Sequence, residues 1–388
     1  MPSTIERPVI VVGSGIAGLT FAASLRRSGR EGVVLERGKD LPELGAGISL
    51  WPNALAALDT IDLGDQVRRA GGPVASGGIR RPDGSWIRRM DRTVVDGALG
   101  EPLVAVHRSD LLAILADAVG RSDIRFGVAV RSFERIGGGV TVHLDDGSSI
   151  EGCALVGADG VGSVVAMQMH PGLTSTYSGY TAWRGVAAID VSGLDPGETW
   201  GTGHEFGFLP LGRDRAYWFA TMNTPEGGRA EQSEHHLLTE TFGTWHEPIP
   251  ALMEATDPGT ILRHDIYDRT PLTEWADGRA VVIGDAAHPM RPHLGQGGCQ
   301  AIEDGVLLGD VVRDRTDLES AFAGFSRSRQ QRTRRIAHQS KLLGRAIQSE
   351  GLLGRAARMA GARLPERMLV RNMAQIGGRD GFTGPVHV

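Results

Sequence analysis

Lysine is nearly missing from this 388-residue chain: Lys39 and Lys341 are the only two, and the rest of its 41 basic residues are arginine. Cysteine is equally scarce. Cys153 and Cys299 cannot build a disulfide framework or a zinc cluster, and a reducing compartment is the simpler setting. No excess of positive charge is present either. A net charge of −5 and a pI near 6.2 argue against nucleic acid or an anionic membrane as the main partner. The nearest thing to a long apolar run is the uncharged stretch 8–25, but spaced glycines break it and no Ala-x-Ala cleavage signal follows. A soluble, cytoplasmic protein with no stable membrane association is expected. At 41% apolar and 22% charged residues, disorder and fibrous architecture are also excluded.

What is abundant is glycine, 55 residues, and its placement is informative. The opening reads as a β-branched strand over 9–12, a tight turn, a helix over 16–28 and a second strand over 32–36, which is a βαβ start. Ser109 reads as the N-cap of a helix to Val119. A strand over 140–144, an Asp146-Gly147 turn and a returning strand over 149–157 follow. Another buried-type strand covers 280–283 and leads to Gly284-Asp285, then a helix over 298–312. Residues 71–100 read as hairpins, and residues 172–276 hold five of the seven tryptophans. The expected division is a discontinuous cofactor domain (1–70, 101–171 and 277–340), a sheet-rich second domain (71–100 and 172–276) and a C-terminal helical segment (341–388). Arg327, Arg329, Arg332, Arg334 and Arg335 read either as an anion patch or as a solvated helix face.

Gly13-Ser14-Gly15-Ile16-Ala17-Gly18 matches G-x-G-x-x-G between a strand and a helix. Gly13 serves the tight turn, Gly15 lets a pyrophosphate approach the backbone, and Gly18 allows helix–strand packing. The helix start offers free amides and partial positive charge to phosphates. Glu36, at the end of the second strand, stands where a ribose hydroxyl acceptor belongs. Dinucleotide binding follows, but the fingerprint alone does not choose between FAD and NAD.

Three further segments resemble the flavoprotein monooxygenases of the para-hydroxybenzoate hydroxylase fold. Gly157-Ala158-Asp159-Gly160-Val161-Gly162-Ser163 is similar to that family's DG motif. Gly284-Asp285-Ala286-Ala287-His288-Pro289, with Pro292 and Gly295-Gln296-Gly297-Gly298, is similar to its GD motif. Ala105-Val106-His107-Arg108-Ser109-Asp110-Leu111 is similar to its Arg-x-x-Leu helix start. Gly45-Ala46-Gly47 through Asn53, the segment 180–185, and Gly295–Cys299 with Glu303-Asp304 look like the salicylate, urate and zeaxanthin-modifying branch. The resemblance implies an α/β fold, with a Rossmann-like FAD-binding domain interrupted by a sheet-rich substrate domain and followed by C-terminal helices. It also implies cofactor contacts from Gly13, Ser14, Gly15, Ala17, Gly18, Glu36, Arg37, Gly47, Arg108, Val130, Asp159, Asp285, Gly295, Gly297, Gly298 and Cys299. The implied cofactors are FAD and, as transient reductant, NADPH or NADH. No metal is called for.

In chemical terms the resemblance implies that the reduced flavin takes up O2 as a C4a-hydroperoxide. It then hydroxylates or epoxidises an aromatic, polyene-like or otherwise electron-rich small molecule. A helix start at Gly297-Gly298 is the natural stabiliser of negative charge on the flavin. Asp285, at a strand's carboxyl end, is expected to contact the cofactor's ribityl chain or to cap the next helix, with a hydroxyl or amide as partner. His288 reads as a residue holding its loop by hydrogen bonds. Pro292, His293, Tyr217 and Arg184 are the catalytic candidates: Pro292 and His293 are expected to flank the flavin's reactive face, with His293 as a base for a phenolic substrate. Tyr217 and Phe219 share one strand face and Trp218 the other, with the pocket side open. Ala166 stands where the family usually has arginine, and Cys299 where asparagine is common. The alternatives are an FAD-dependent dehydrogenase or reductase without oxygen insertion, and a flavin-binding protein without turnover. A monomer or a homodimer is expected.

Overall fold

The structure is a computed structural model and describes residues 7–42, 46–74, 77–313 and 316–382. Gly45, part of one motif above, lies outside them. Val9–Val12 is buried along its whole length, as a central parallel strand must be. It pairs in parallel with Gly32–Glu36 on one side and Ala154–Gly157 on the other. Ala280–Val282 and the antiparallel pair Ala276–Asp277 extend the sheet at one edge, Ile124–Phe126 at the other. Helix Ile16–Arg27 packs across Gly297–Arg313. The approach is close because Gly305 and Gly309 face it: a Cβ there would sit 2.7 Å from Phe21 N and 2.1 Å from Ser24 Oγ.

A second sheet has seven strands, in the order Leu262–Arg269, Ser175–Ala187, Ala216–Asn223, His204–Pro210, Gly197–Trp200, Gly78–Arg80 and Trp86–Arg89. One face carries Trp183, Phe206, Phe208, Trp218 and Met222, packed with Leu238, Phe242, Ile249 and Leu252 of two short helices. Phe206 stacks on Trp218 with ring centroids 5.6 Å apart. The other face sends Tyr217, Phe219, Leu209 and Val186 against Ala46, Val74 and Ala105. The open question of orientation is thereby answered: Tyr217 and Phe219 look toward the first half of the molecule, and Trp218 looks away. Helices Leu318–Gln348, Leu352–Ala362 and Glu366–Gly377 complete the α/β architecture. Among the described residues no helix is long and apolar enough to cross a membrane.

Four local expectations need correction. Of the hairpins expected within 71–100, only the one around Pro82-Asp83-Gly84 forms among the described residues; Gly72–Val74 pairs with Leu103–His107 instead, and Arg92–Leu99 is a helix. The strand expected over 149–157 is two strands. Ser149–Gly152 pairs antiparallel with Gly139–Leu144, and the chain then turns at Cys153 so that Ala154–Gly157 can join the parallel sheet. Ser109 is not an N-cap: the helix is Arg108–Val119 with His107 at the cap position, and the Ser109 hydroxyl bonds to His107 Nδ1 at 2.6 Å. The arginine series is neither an anion patch nor a solvated face as a whole, because Arg329 is 3% exposed and Arg332 reaches Glu303.

Candidate active site

Three turns meet at the carboxyl ends of the parallel strands. Gly13 N donates to Leu35 O at 2.8 Å, Ala158 N to Val12 O at 2.8 Å, and Ile283 N to Gly157 O at 2.9 Å, which stitches the turns side by side. Gly13 has a φ of +102°, and a Cβ on it would lie 2.5 Å from Ala158 O; one on Gly18 would lie 2.1 Å from Gly13 O. Both glycines are fixed by packing. Gly15 differs, because a Cβ there meets nothing within 4 Å, and no side chain caps the helix it opens. Ala17 packs under the adjoining turn, its Cβ 2.7 Å from where a Cβ of Gly284 would stand.

Glu36 ends its strand beside this turn. It accepts from Ser14 N at 2.8 Å, Ser14 Oγ at 2.9 Å and Gly38 N at 2.7 Å. Burial opposes its charge, but these donors outweigh it and hold the carboxyl below its ordinary range. Arg37 is exposed beside it. Val130 opens the strand Val130–Ile136 of a separate three-stranded sheet, joined to this corner through Val128 N, which donates to Glu36 O at 2.8 Å.

The Gly284 turn is held from below. Gly284 N donates to Asp304 Oδ2 at 2.9 Å, and His288 Nε2 reaches the same oxygen at 2.6 Å. Arg329 Nε bonds Asp304 at 2.7 Å while its NH1 bonds Glu303 at 2.6 Å, and Asn53 donates to Glu303 at 2.6 Å. These buried charges neutralise one another, as low-dielectric burial demands. Asp285 itself is exposed and makes no side-chain hydrogen bond among the described residues. The cations that feel its charge are Arg108 and Arg269.

Asp159 spends its carboxylate locally. It accepts from Ser163 Oγ at 2.5 Å and Val164 N at 2.7 Å, at the start of helix Val164–Met169, where Ala166 is fully buried. Arg269 was not singled out in the sequence, yet it bridges two of the turns. Its NH2 donates to Ala286 O at 2.7 Å and its NH1 to Val161 O at 3.4 Å, and burial lowers its pKa to about 10 despite Asp285 and Asp159 nearby. Only tertiary pairing brings it there; nothing local in 262–269 marks it.

Arg108 is exposed, and desolvation lowers its pKa against the opposing charge of Asp285. Arg184 and Tyr217 lie within its electrostatic reach, and Arg184 bonds Tyr217. Gly47 permits this closeness: a Cβ on it would be 2.4 Å from the Tyr217 ring. Pro292 starts the turn Pro292–Leu294. The His293 side chain is only 1% exposed. It sits between Glu205, at 3.2 Å from Nδ1, and the Tyr180 hydroxyl, at 3.2 Å from Nε2. Gly295 takes a φ of +60° against Trp51, and Gly298 lies on Ile48. Gly297 is open but for Met290 Cγ at 3.8 Å. Cys299 is buried, and burial pushes its thiol up to about 12, so it is no nucleophile.

The uncapped helix start at Gly15, the open sides of Gly15 and Gly297, and Asp285 with Arg108 in its electrostatic reach are groups that a flavin dinucleotide fits. Opposite them stands a polar and aromatic sheet face. Fold and site together define a flavin-dependent oxidoreductase. The family model described as "FAD binding domain" matches residues 6–314. Aurachin C monooxygenase/isomerase of Stigmatella aurantiaca is 39% identical over 344 residues, covering 88% of this chain and 90% of that protein. An FAD-dependent urate hydroxylase of Klebsiella pneumoniae is 34% identical, covering 84% and 86%. The crystal structure of Klebsiella pneumoniae HpxO with FAD and uric acid superposes with a TM-score of 0.88 at 28% identity, over 95% of this chain and 96% of that one. The chain belongs to this FAD-binding family and is an FAD-dependent monooxygenase.

Proposed function

We propose that the enzyme uses NADPH or NADH and O2 to hydroxylate, or epoxidise, a planar electron-rich small molecule held between the strand-end turns and the second sheet. FAD supplies the redox and oxygen chemistry when bound. The chain's own residues do the rest. The Gly15 backbone and the helix behind it receive the pyrophosphate, Glu36 faces the ribose, and Asp285 faces the ribityl hydroxyls. The start of helix Gly297–Arg313 directs its positive end at the ring system, favouring negative charge there. Arg108, Arg184 and Tyr217 line the polar wall on the substrate side, with Phe219 beside them and Pro292 at its edge. Residues 1–70, 101–171 and 277–340 would carry the cofactor, 71–100 and 172–276 the substrate cover, with 341–388 behind.

The observation that supports this reading most is that Gly15 and Gly297 are open at two adjoining helix starts, where Gly298 lies near Ile16, with Asp285 and Arg108 in electrostatic reach of each other. The test is turnover of the FAD-loaded protein under labelled O2, with candidate phenols, purines and terpenoids. One labelled oxygen atom in the product supports the proposal. Product formed equally well without oxygen would replace it with a dehydrogenase.

A further inference from the structure

One cross-strand row on the inward face of the seven-stranded sheet takes no part in holding the cofactor. Arg184 pairs with Phe219, Phe219 with Gly207, and Gly207 with Glu198. All four lie on the same face. Three strand spacings separate the ends, roughly 14 Å. A Cβ on Gly207 would come 2.3 Å from Phe219 Cζ, so the ring occupies the space that a side chain there would fill. The row is a flat apolar floor with a cation at one end and a carboxyl group at the other.

The acid end is built. Glu205 is 1% exposed; its Oε2 meets His293 Nδ1 at 3.2 Å and Thr221 Oγ1 at 3.3 Å, and its buried Oε1 has no fixed donor. Glu198 bonds to this carboxylate, and Trp200 Nε1 donates to Glu198 Oε2 at 2.9 Å. Two touching carboxylates in a desolvated place cannot both ionise. Burial first, and the Glu205 charge second, push Glu198 up to about 8, so it keeps the proton. That proton is the donor between the two carboxyl groups, and Glu198 retains acceptor lone pairs. The groups acting on the pair are Trp200 from its own strand, Thr221 from the next, His293 from the Pro292–Leu294 turn, and Gln348 of the long helix, which reaches Thr221 at 2.5 Å.

We propose that Glu198 determines substrate specificity: it accepts a hydrogen bond from an O–H or N–H at one edge of a planar two-ring substrate whose opposite edge offers Arg184 an anionic or carbonyl oxygen. Glu205 and His293 are positioning residues that hold Glu198 in its neutral, accepting form. The inference rests on the reading that this sheet face covers the substrate.

Two matched probes test it: 6-hydroxy-2-naphthoate, and 6-methoxy-2-naphthoate, which lacks the donor. Binding to the FAD-loaded protein at pH 7 is read from the probes' own fluorescence, independently of turnover. The hydroxy probe should bind about tenfold more tightly, the value of one well-placed hydrogen bond. Glu198→Leu should erase that preference, and Glu198→Gln should keep it. Arg184→Met should weaken both probes alike and leave the ratio intact, which guards against a misfolded leucine variant. Equal affinity of the two probes for the wild type, or a preference surviving Glu198→Leu, overturns the proposal. Binding in the stated pattern without any probe-stimulated NAD(P)H oxidation would uphold the recognition and count against the reading that this sheet face covers the substrate.

Discussion

Gly284 and Asp304 are joined by a 2.9 Å hydrogen bond from a turn amide to a fully buried carboxylate, so the turn that presents Asp285 is fixed by a charge 20 residues further on. Burial alone would raise the Asp304 pKa, but His288 and Arg329 outweigh it and bring it from 3.8 down to about 2. A carboxyl depressed in the folded state adds stability above its unfolded pKa and loses it as pH falls through the folded one. Acid should therefore weaken the fold between about pH 4 and pH 2. Urea midpoints taken across that range should flatten in Asp304→Asn. A wild-type midpoint that does not move with pH there would refute the assignment.

Arg329 pairs with both Glu303 and Asp304. Arg329→Met leaves two buried carboxylates short of a cation and should cost about 3–5 kcal/mol. Chemical denaturation measures this directly, and a loss below about 1 kcal/mol would mean the pairs are dispensable.

The glycines of the first turn should separate into two kinds. Gly15→Val places its side chain in open space, so the apoprotein should melt at the wild-type temperature while FAD is lost on gel filtration. Gly18→Ala drives a Cβ against Gly13 O and should destabilise the apoprotein by about 1–3 kcal/mol. The idea fails if Gly15→Val stays yellow.

Asp285→Ala breaks no hydrogen bond of the protein, so its stability should shift by no more than about 0.5 kcal/mol. FAD occupancy after purification should nevertheless fall, as read from the flavin-to-protein absorbance ratio. Full occupancy in that variant would remove Asp285 from the cofactor site.

Phe206 is fully buried and stacks on Trp218 in the core behind the substrate sheet. Phe206→Ala should cost about 3–5 kcal/mol in a urea titration. Because that core lies on the far face, flavin affinity measured at low temperature should stay close to wild type.

How far could these features be read from the residues alone? The parallel sheet could, because Val9–Val12 and Ala280–Val282 are apolar on both faces and each is followed by a glycine turn. The α/β class, the FAD dependence and the family followed from four motifs in order. The break at Cys153 could not be read, since which strand each half of 149–157 pairs with is set by its partners and not by the segment's own residues. The Glu198–Glu205 contact was equally hidden: it depends on the register by which Gly207 faces Glu198 and Trp200 faces Glu205, and register is a property of two strands. The same holds for Arg329, which resembles its exposed neighbours in sequence and differs only in the side of the helix that meets Glu303.

Helix Leu318–Gln348 is 31 residues long, about 46 Å at 1.5 Å per residue. Arg329 ties its first half to the carboxylates under the Gly284 turn, and Gln348 at its end touches Thr221 on the second sheet. One rigid element thus touches both the cofactor turn and the second sheet. Mutational scans of this enzyme should accordingly find that substitutions along one helix, remote from either ligand, alter flavin retention and substrate choice together.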